Sequence, residues 1–255
     1  MRPRWFAPLL FSFALVATAC ASTSSSPSGP TATAQPTATP KPLVLPRPSD
    51  VPTDGACETE QDSCLGLLRP GVTYHTSIFE PAITFRVPSS DFENIYDGPG
   101  IFNLLDITHQ GDRIAFWRRP QAMEKGLPVA GVGDSVEDLA AWLVDNPALD
   151  VSPPQDVTLG GLHGVVMEAS IAADAENQDS RCPVQVCVDI FSGSDGAAHP
   201  PWHWDWGFAG PESARIYLLR ADDGVIAVFI DAFDRTTYDS LIRAGDKLFK
   251  TLKFG

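Results

Sequence analysis

Two long apolar runs near the C-terminus, Ala214 to Arg220 and Val225 to Phe233, flank Asp222-Asp223-Gly224. They read as two strands joined by a hairpin turn. Upstream, Val72 to Ile78 and Ala82 to Val87 alternate apolar and polar residues, the second ending at Pro88. Both alternations predict half-buried strands. Asp112–Arg118, Leu162–Ile171 and Val184–Phe191 are further strand candidates. Gly160-Gly161 and Gly164 lack the strand–loop–helix setting of a phosphate cradle and read as a turn between strands. Helical spacing occurs twice. From about Ser135 to Asp145, Leu139, Trp142 and Leu143 form one apolar face. Asp134 and Glu137 suggest a capping box there, and Pro147 stops the helix. From about Thr236 to Lys253, the positions Tyr238, Leu241, Ile242, Gly245, Leu248, Phe249 and Leu252 recur on one face. Strands outnumber helices and the links are tight, which favours antiparallel pairing. The expectation is an α+β domain: a curved antiparallel sheet with two main helices packed against it.

The N-terminal pattern differs. Arg2 and Arg4 precede an apolar stretch from Trp5 to Val16, too short for a permanent membrane span, and Ala17-Thr18-Ala19-Cys20 follows. Residues 1–19 are read as a signal peptide. Leu15-Val16-Ala17-Thr18-Ala19-Cys20 resembles a bacterial lipobox, although Ala17 stands where Leu is usual. The resemblance implies cleavage before Cys20, transfer of diacylglycerol to its thiol, palmitate on the same anchor, and a place on the outer face of the cytoplasmic membrane. Residues 20–56 are rich in Ser, Thr, Pro and Ala without apolar periodicity, and are expected to form a disordered linker. About 35 such residues could reach roughly 100 Å in a polyproline II-like state. Residues 57–255 are expected to form one globular domain.

Five cysteines are an odd number for an exported chain. Giving Cys20 to lipid leaves Cys57, Cys64, Cys182 and Cys187, enough for two disulfides in an oxidising compartment. Three pairings are possible; the short-loop pairs Cys57–Cys64 and Cys182–Cys187 are the expected ones. Charge narrows the partners. The chain has 18 basic and 32 acidic residues; without Arg2 and Arg4, 16 basic residues remain and the formal charge is −16. Such a surface repels phosphate backbones, so nucleic acid is an unexpected partner.

A resemblance covers most of residues 57–255. Leu68-Arg69-Pro70-Gly71-Val72-Thr73-Tyr74, Phe79-Glu80-Pro81 and Phe85-Arg86-Val87-Pro88 resemble the opening of a domain recurring in exported actinobacterial and Chloroflexi lipoproteins. Val157 to Val166 is similar to its middle block. Arg215-Ile216-Tyr217-Leu218-Leu219, Val225-Ile226-Ala227-Val228 and the terminal helix are similar to its end. That group implies no activity. The order of Phe-x-Val-Pro, late hairpin and terminal helix also loosely resembles the PsbP-like sandwich, with Phe92 near the place of its usual tryptophan. That second resemblance implies binding and assembly rather than chemistry.

The most unusual segment is His199-Pro200-Pro201-Trp202-His203-Trp204-Asp205-Trp206-Gly207-Phe208, which holds half of the six tryptophans. In an extended chain Trp202, Trp204 and Trp206 share one face. An exposed face of this kind would stack on sugar or peptide rings. A satellite core is the competing expectation, with at least two of the three rings buried. His199, His203 and Asp205 could ligate a divalent metal such as zinc. Gly193-Ser194-Asp195-Gly196 is a turn composition and not a nucleophile elbow. His75, His109 and His163 stand alone and suit surface or packing roles. No cofactor is implied. The functional expectation is a lipid-anchored, non-enzymatic binding domain whose ligand is a sugar, a peptide or an envelope protein. The alternative is a cell-envelope hydrolase or metal-dependent enzyme built on His199, His203 and Asp205.

Overall fold

Strand β15 (Gly224–Ala232) organises the fold. From Val225 to Ala232 every one of its residues is buried. A strand can be this apolar only if both faces of its sheet are covered. Ile226, Val228 and Ile230 enter one hydrophobic cluster and Val225, Ala227 and Phe229 the other. β6 (Arg113–Arg118) repeats the alternation, with Ile114 and Phe116 on the first side and Ala115 and Trp117 on the second.

The structure is a computed structural model that describes residues 65–178, 182, 184–193 and 204–255, apart from the side chains of 204 and 205. Its remaining strands are β1 (Gly66–Leu67), β2 (Tyr74–His75), β3 (Ile83–Phe85), β4 (Phe92–Asp97), β5 (Ile101–Asp106), β7 (Gln121–Glu124), β8 (Leu127–Pro128), β9 (Leu149–Val151), β10 (Gln155–Leu159), β11 (Leu162–Ile171), β12 (Cys187–Gly193), β13 (Trp204–Ala209), β14 (Ser213–Ala221) and β16 (Lys253–Phe254). The helices are α1 (Val136–Asp145) and α2 (Arg235–Phe249). The main sheet runs β1-β4-β5-β6-β15-β14-β11-β10, with β9 beside β10 on β11; a second runs β13-β12-β7-β8 and a third β16-β3-β2. All pairs are antiparallel. The fold is therefore of the α+β class, with its strands divided among three sheets.

One face of the main sheet is covered by α2 and the third sheet. Leu241, Leu248 and Phe249 of α2 join Tyr74, Ile83, Phe85, Phe102 and Phe116 there. The other face carries α1 and the second sheet. Leu139 and Leu143 join Met167, Ile216 and Phe229, together with Phe191, Trp206 and Phe208. The hairpin expected at Asp222-Asp223-Gly224 is present, with Ala221 paired to Gly224. Gly160 and Gly161, both at positive φ, turn β10 into β11.

Several boundaries differ from the expectation for physical reasons. The extended stretch expected over Val72–Ile78 shrinks to Tyr74–His75. The Asp97 carboxylate accepts hydrogen bonds from the backbone N–H groups of Ser77, Ile78 and Phe79, which folds those residues into a turn. The capping box expected of Asp134 and Glu137 is replaced by Ser135, whose Oγ accepts from the Asp138 N–H at 3.1 Å. The terminal helix ends at Phe249 rather than about Lys253, because Lys253 and Phe254 pair with β3.

Candidate functional site

The tryptophan-rich segment enters the described structure through β13. Trp204 pairs in register with Gly193, and Asp205 with Ser192. Gly207 is needed there, since a Cβ would lie 2.3 Å from the Val188 carbonyl oxygen of β12. Trp206 is 2 % exposed. Its ring stacks on Phe229 at 3.9 Å between centroids and meets Phe208 edge-on at 5.0 Å. Trp206 is thus a core residue rather than part of an exposed stacking face. Trp202, His199 and His203 lie outside the described residues, as do the side chains of Trp204 and Asp205. The signal peptide, Cys20, the linker, Cys57 and Cys64 do so as well.

Beneath Trp206 lies a buried polar cluster. The indole N–H donates to Asp231 Oδ2 at 2.9 Å, and Arg113 Nε donates to the same oxygen at 2.8 Å. Asp231 is on β15 directly opposite Arg113 on β6. Its side chain is fully buried, and Oδ1 finds no donor among the described residues if all carboxyls are ionised. Glu212, 3 % exposed, closes the cluster. Its Oε2 accepts the Ala209 N–H at 2.6 Å, Oε1 lies 3.7 Å from Arg113, and its carboxyl neighbours that of Asp231. Burial first, and the Asp231 charge second, push the Glu212 carboxyl up to about 10. Desolvation opposes the charge of Arg113, and the neighbouring Asp231 carboxylate favours it.

Sequence reasoning passed over Arg113, Glu212 and Asp231. One signal was available: Asp231 is the lone acid inside Val225-Ile226-Ala227-Val228-Phe229-Ile230-Asp231-Ala232-Phe233. A carboxylate in a strand buried on both faces requires partners.

A second polar feature is a shallow cleft of about 320 Å³ beside the edge strand β10, lined by Asp156, Val157, Thr158, His163, Gly164 and Arg220. Two of its polar groups are already engaged. His163 Nδ1 is 2.9 Å from Thr158 Oγ1, and Arg220 is paired with Glu137, whose carboxyl it holds below the usual range. The other two described histidines are likewise bound to threonines, His75 to Thr84 at 2.8 Å and His109 to Thr108 at 2.9 Å. No group of three metal-ligating side chains forms among the described residues. One acid of the expected hairpin turn has local work: Asp223 accepts from Arg118 Nε at 2.7 Å, and its backbone carbonyl accepts from Arg119 Nε at 2.9 Å. Cys182 and Cys187 are joined by a disulfide, the short-loop pairing expected for them.

No family model and no curated protein matches the chain. Among solved structures, one protein from Bacteroides thetaiotaomicron VPI-5482 is similar at a TM-score of 0.32 and 9 % identity, over 68 % of this chain. The chain spans 45 % of the length of that protein.

Proposed function

We propose that the protein is a lipoprotein, anchored through Cys20 to the outer face of the cytoplasmic membrane, whose domain binds a sugar, a peptide or an envelope protein. In this proposal the domain works by contact rather than by chemistry on a substrate. One observation supports binding over catalysis: the buried Asp231, Glu212 and Trp206 and the partly exposed Arg113 are engaged with one another or with the backbone under β13. A catalytic set needs groups left available to a reacting atom. The anchoring half rests on Arg2, Arg4, the Leu15–Cys20 pattern and the odd cysteine count. The lipoprotein-domain and PsbP-like resemblances support the same proposal, through Phe85-Arg86-Val87-Pro88, the late hairpin and the terminal helix.

Two measurements test it. Cys20→Ala should move the protein from membranes to the medium and abolish incorporation of labelled palmitate; an unlabelled wild type overturns the anchor. Full-length protein should bind members of an array of envelope glycans and peptides and leave them chemically unchanged. Zinc-dependent turnover that disappears in His199→Ala and His203→Ala would replace binding by the enzymatic alternative.

A further inference from the structure

In the cluster under Trp206, two carboxyl groups face one guanidinium. Both oxygens of a fully ionised Asp231 need donors, and among the described residues only Oδ2 has them, from Arg113 and Trp206. Two buried carboxylates with one cation would also leave an uncompensated negative charge in the interior, a costly arrangement. A single proton removes both defects. We propose that Glu212 is a neutral carboxylic acid donating its proton to Asp231 Oδ1, and that this proton latches β13 to the main sheet.

The geometry supports the assignment of donor and acceptor. Asp231 is the natural acceptor because its Oδ2 already receives two donors, one of them cationic. Glu212 carries the proton because its Oε2 is satisfied by a neutral backbone N–H and the Arg113 guanidinium stands further off, at 3.7 Å. Among the described residues, the charged groups that face Glu212 are Asp231 on β15 and Arg113 on β6; β13 contributes the neutral Ala209 N–H, and the β14 neighbour Ala214 is apolar. Like-charged carboxyls sharing a site titrate as a pair, one of them late.

The consequence for stability has a definite sign. Glu212 is protonated in the folded chain up to about 10 and ionises near its ordinary 4.5 once exposed by unfolding. Between those values unfolding releases a proton. The latch therefore contributes fully below the lower value and is drawn down as pH rises toward the upper one. Above it, two adjacent carboxylates repel and Trp206 loses its buried setting. The proposal stands independently of whatever ligand the domain binds.

The test compares wild type with Glu212→Gln in urea at pH 5 to 9. Gln retains an acceptor for Ala209 and a donor for Asp231 but cannot ionise. The unfolding constant of the wild type relative to Glu212→Gln should grow about tenfold per pH unit across that window. Groups common to both proteins cancel in the ratio. A pH-independent ratio overturns the proposal. Infrared spectroscopy at pH 7 supplies a second readout that does not depend on the variant folding. The wild type should show the C=O stretch of a protonated carboxyl, retained in Asp112→Asn, where burial also raises a carboxyl. Absence of that band in the wild type, or its loss in Asp112→Asn, overturns the assignment to Glu212.

Discussion

Replacing Trp206 by Phe separates the ring from the indole N–H. A phenyl ring can still lie against Phe229, but the donor to Asp231 Oδ2, at 2.9 Å, is gone. A hydrogen bond to a charged acceptor is worth about 1.5–3 kcal/mol, and the lower half applies because Arg113 still serves that oxygen. The smaller ring leaves a void in a site that is 2 % exposed, adding about 1 kcal/mol or slightly more. The expected loss is about 2–4 kcal/mol, a fall of roughly 5–15 °C in melting temperature for a domain of this size. Urea unfolding followed by near-UV circular dichroism measures it as a shift in midpoint at constant m-value. Trp117→Phe is the control. Trp117 is also buried and meets Phe229 edge-on at 6.1 Å, so that change should cost only about 1 kcal/mol, for the ring alone. Combining Trp206→Phe with Asp231→Asn should reveal coupling of about 1–2 kcal/mol. The reasoning is refuted if Trp206→Phe costs no more than Trp117→Phe, or if the double variant is additive.

Two further outcomes follow from local geometry. Gly164→Ala would place a Cβ 1.9 Å from the Leu218 carbonyl oxygen and 2.8 Å from the Leu219 Cα, both main-chain atoms in the middle of the sheet. It should cost about 3 kcal/mol or more, or yield insoluble protein, as read by soluble yield and urea midpoint. Replacing Cys182 and Cys187 together by Ser should lower stability by roughly 2 kcal/mol, the loop-closure value for so short a ring, and wild-type protein denatured without reductant should show neither thiol to an alkylating reagent.

The elements that sequence patterning located are those whose burial is self-evident along one strand or helix. β15 reads as a strand because nearly all of it is apolar, and α2 reads as a helix because Leu241, Ile242, Gly245, Leu248 and Phe249 fall on one face. β4 and β5 escaped. Their buried Asn94 and Asp106, Pro99 between them and the bulge at Ile95 break any regular alternation. β10 was implied only by the turn read at Gly160-Gly161, because Gln155-Asp156-Val157-Thr158-Leu159 is an edge strand, mostly solvated, whose identity comes from the free side of β11. Edges carry polar residues for good reason, and polarity hides them from periodicity. Trp206 was conspicuous, but its partners were not. Asp231 is 25 positions away from Trp206, and Arg113 is 118 positions from Asp231 in the opposite direction. Only the β6–β15 register and the laying of the second sheet over the main one bring them together.

The position of the carboxyl pair explains why it is polar at all. The chain leaves the second sheet at Ala209 and enters the main sheet at Ser213, crossing through Gly210 at φ +66° and Pro211. A chain that changes sheets over three residues leaves backbone groups outside both ladders at a partly buried corner, where each is better off with a partner. The Ala209 N–H is one such group, and Glu212 three residues on turns back to accept it. On the other side of the same corner, Asp231 presents Oδ1 to the interior and needs a donor. One residue at the crossing must therefore accept and donate at once. An aliphatic side chain does neither, and an ionised carboxylate only accepts. A protonated carboxyl meets both demands from a single side chain, which ties the shared proton to the geometry of the crossing rather than to the chemistry of a substrate.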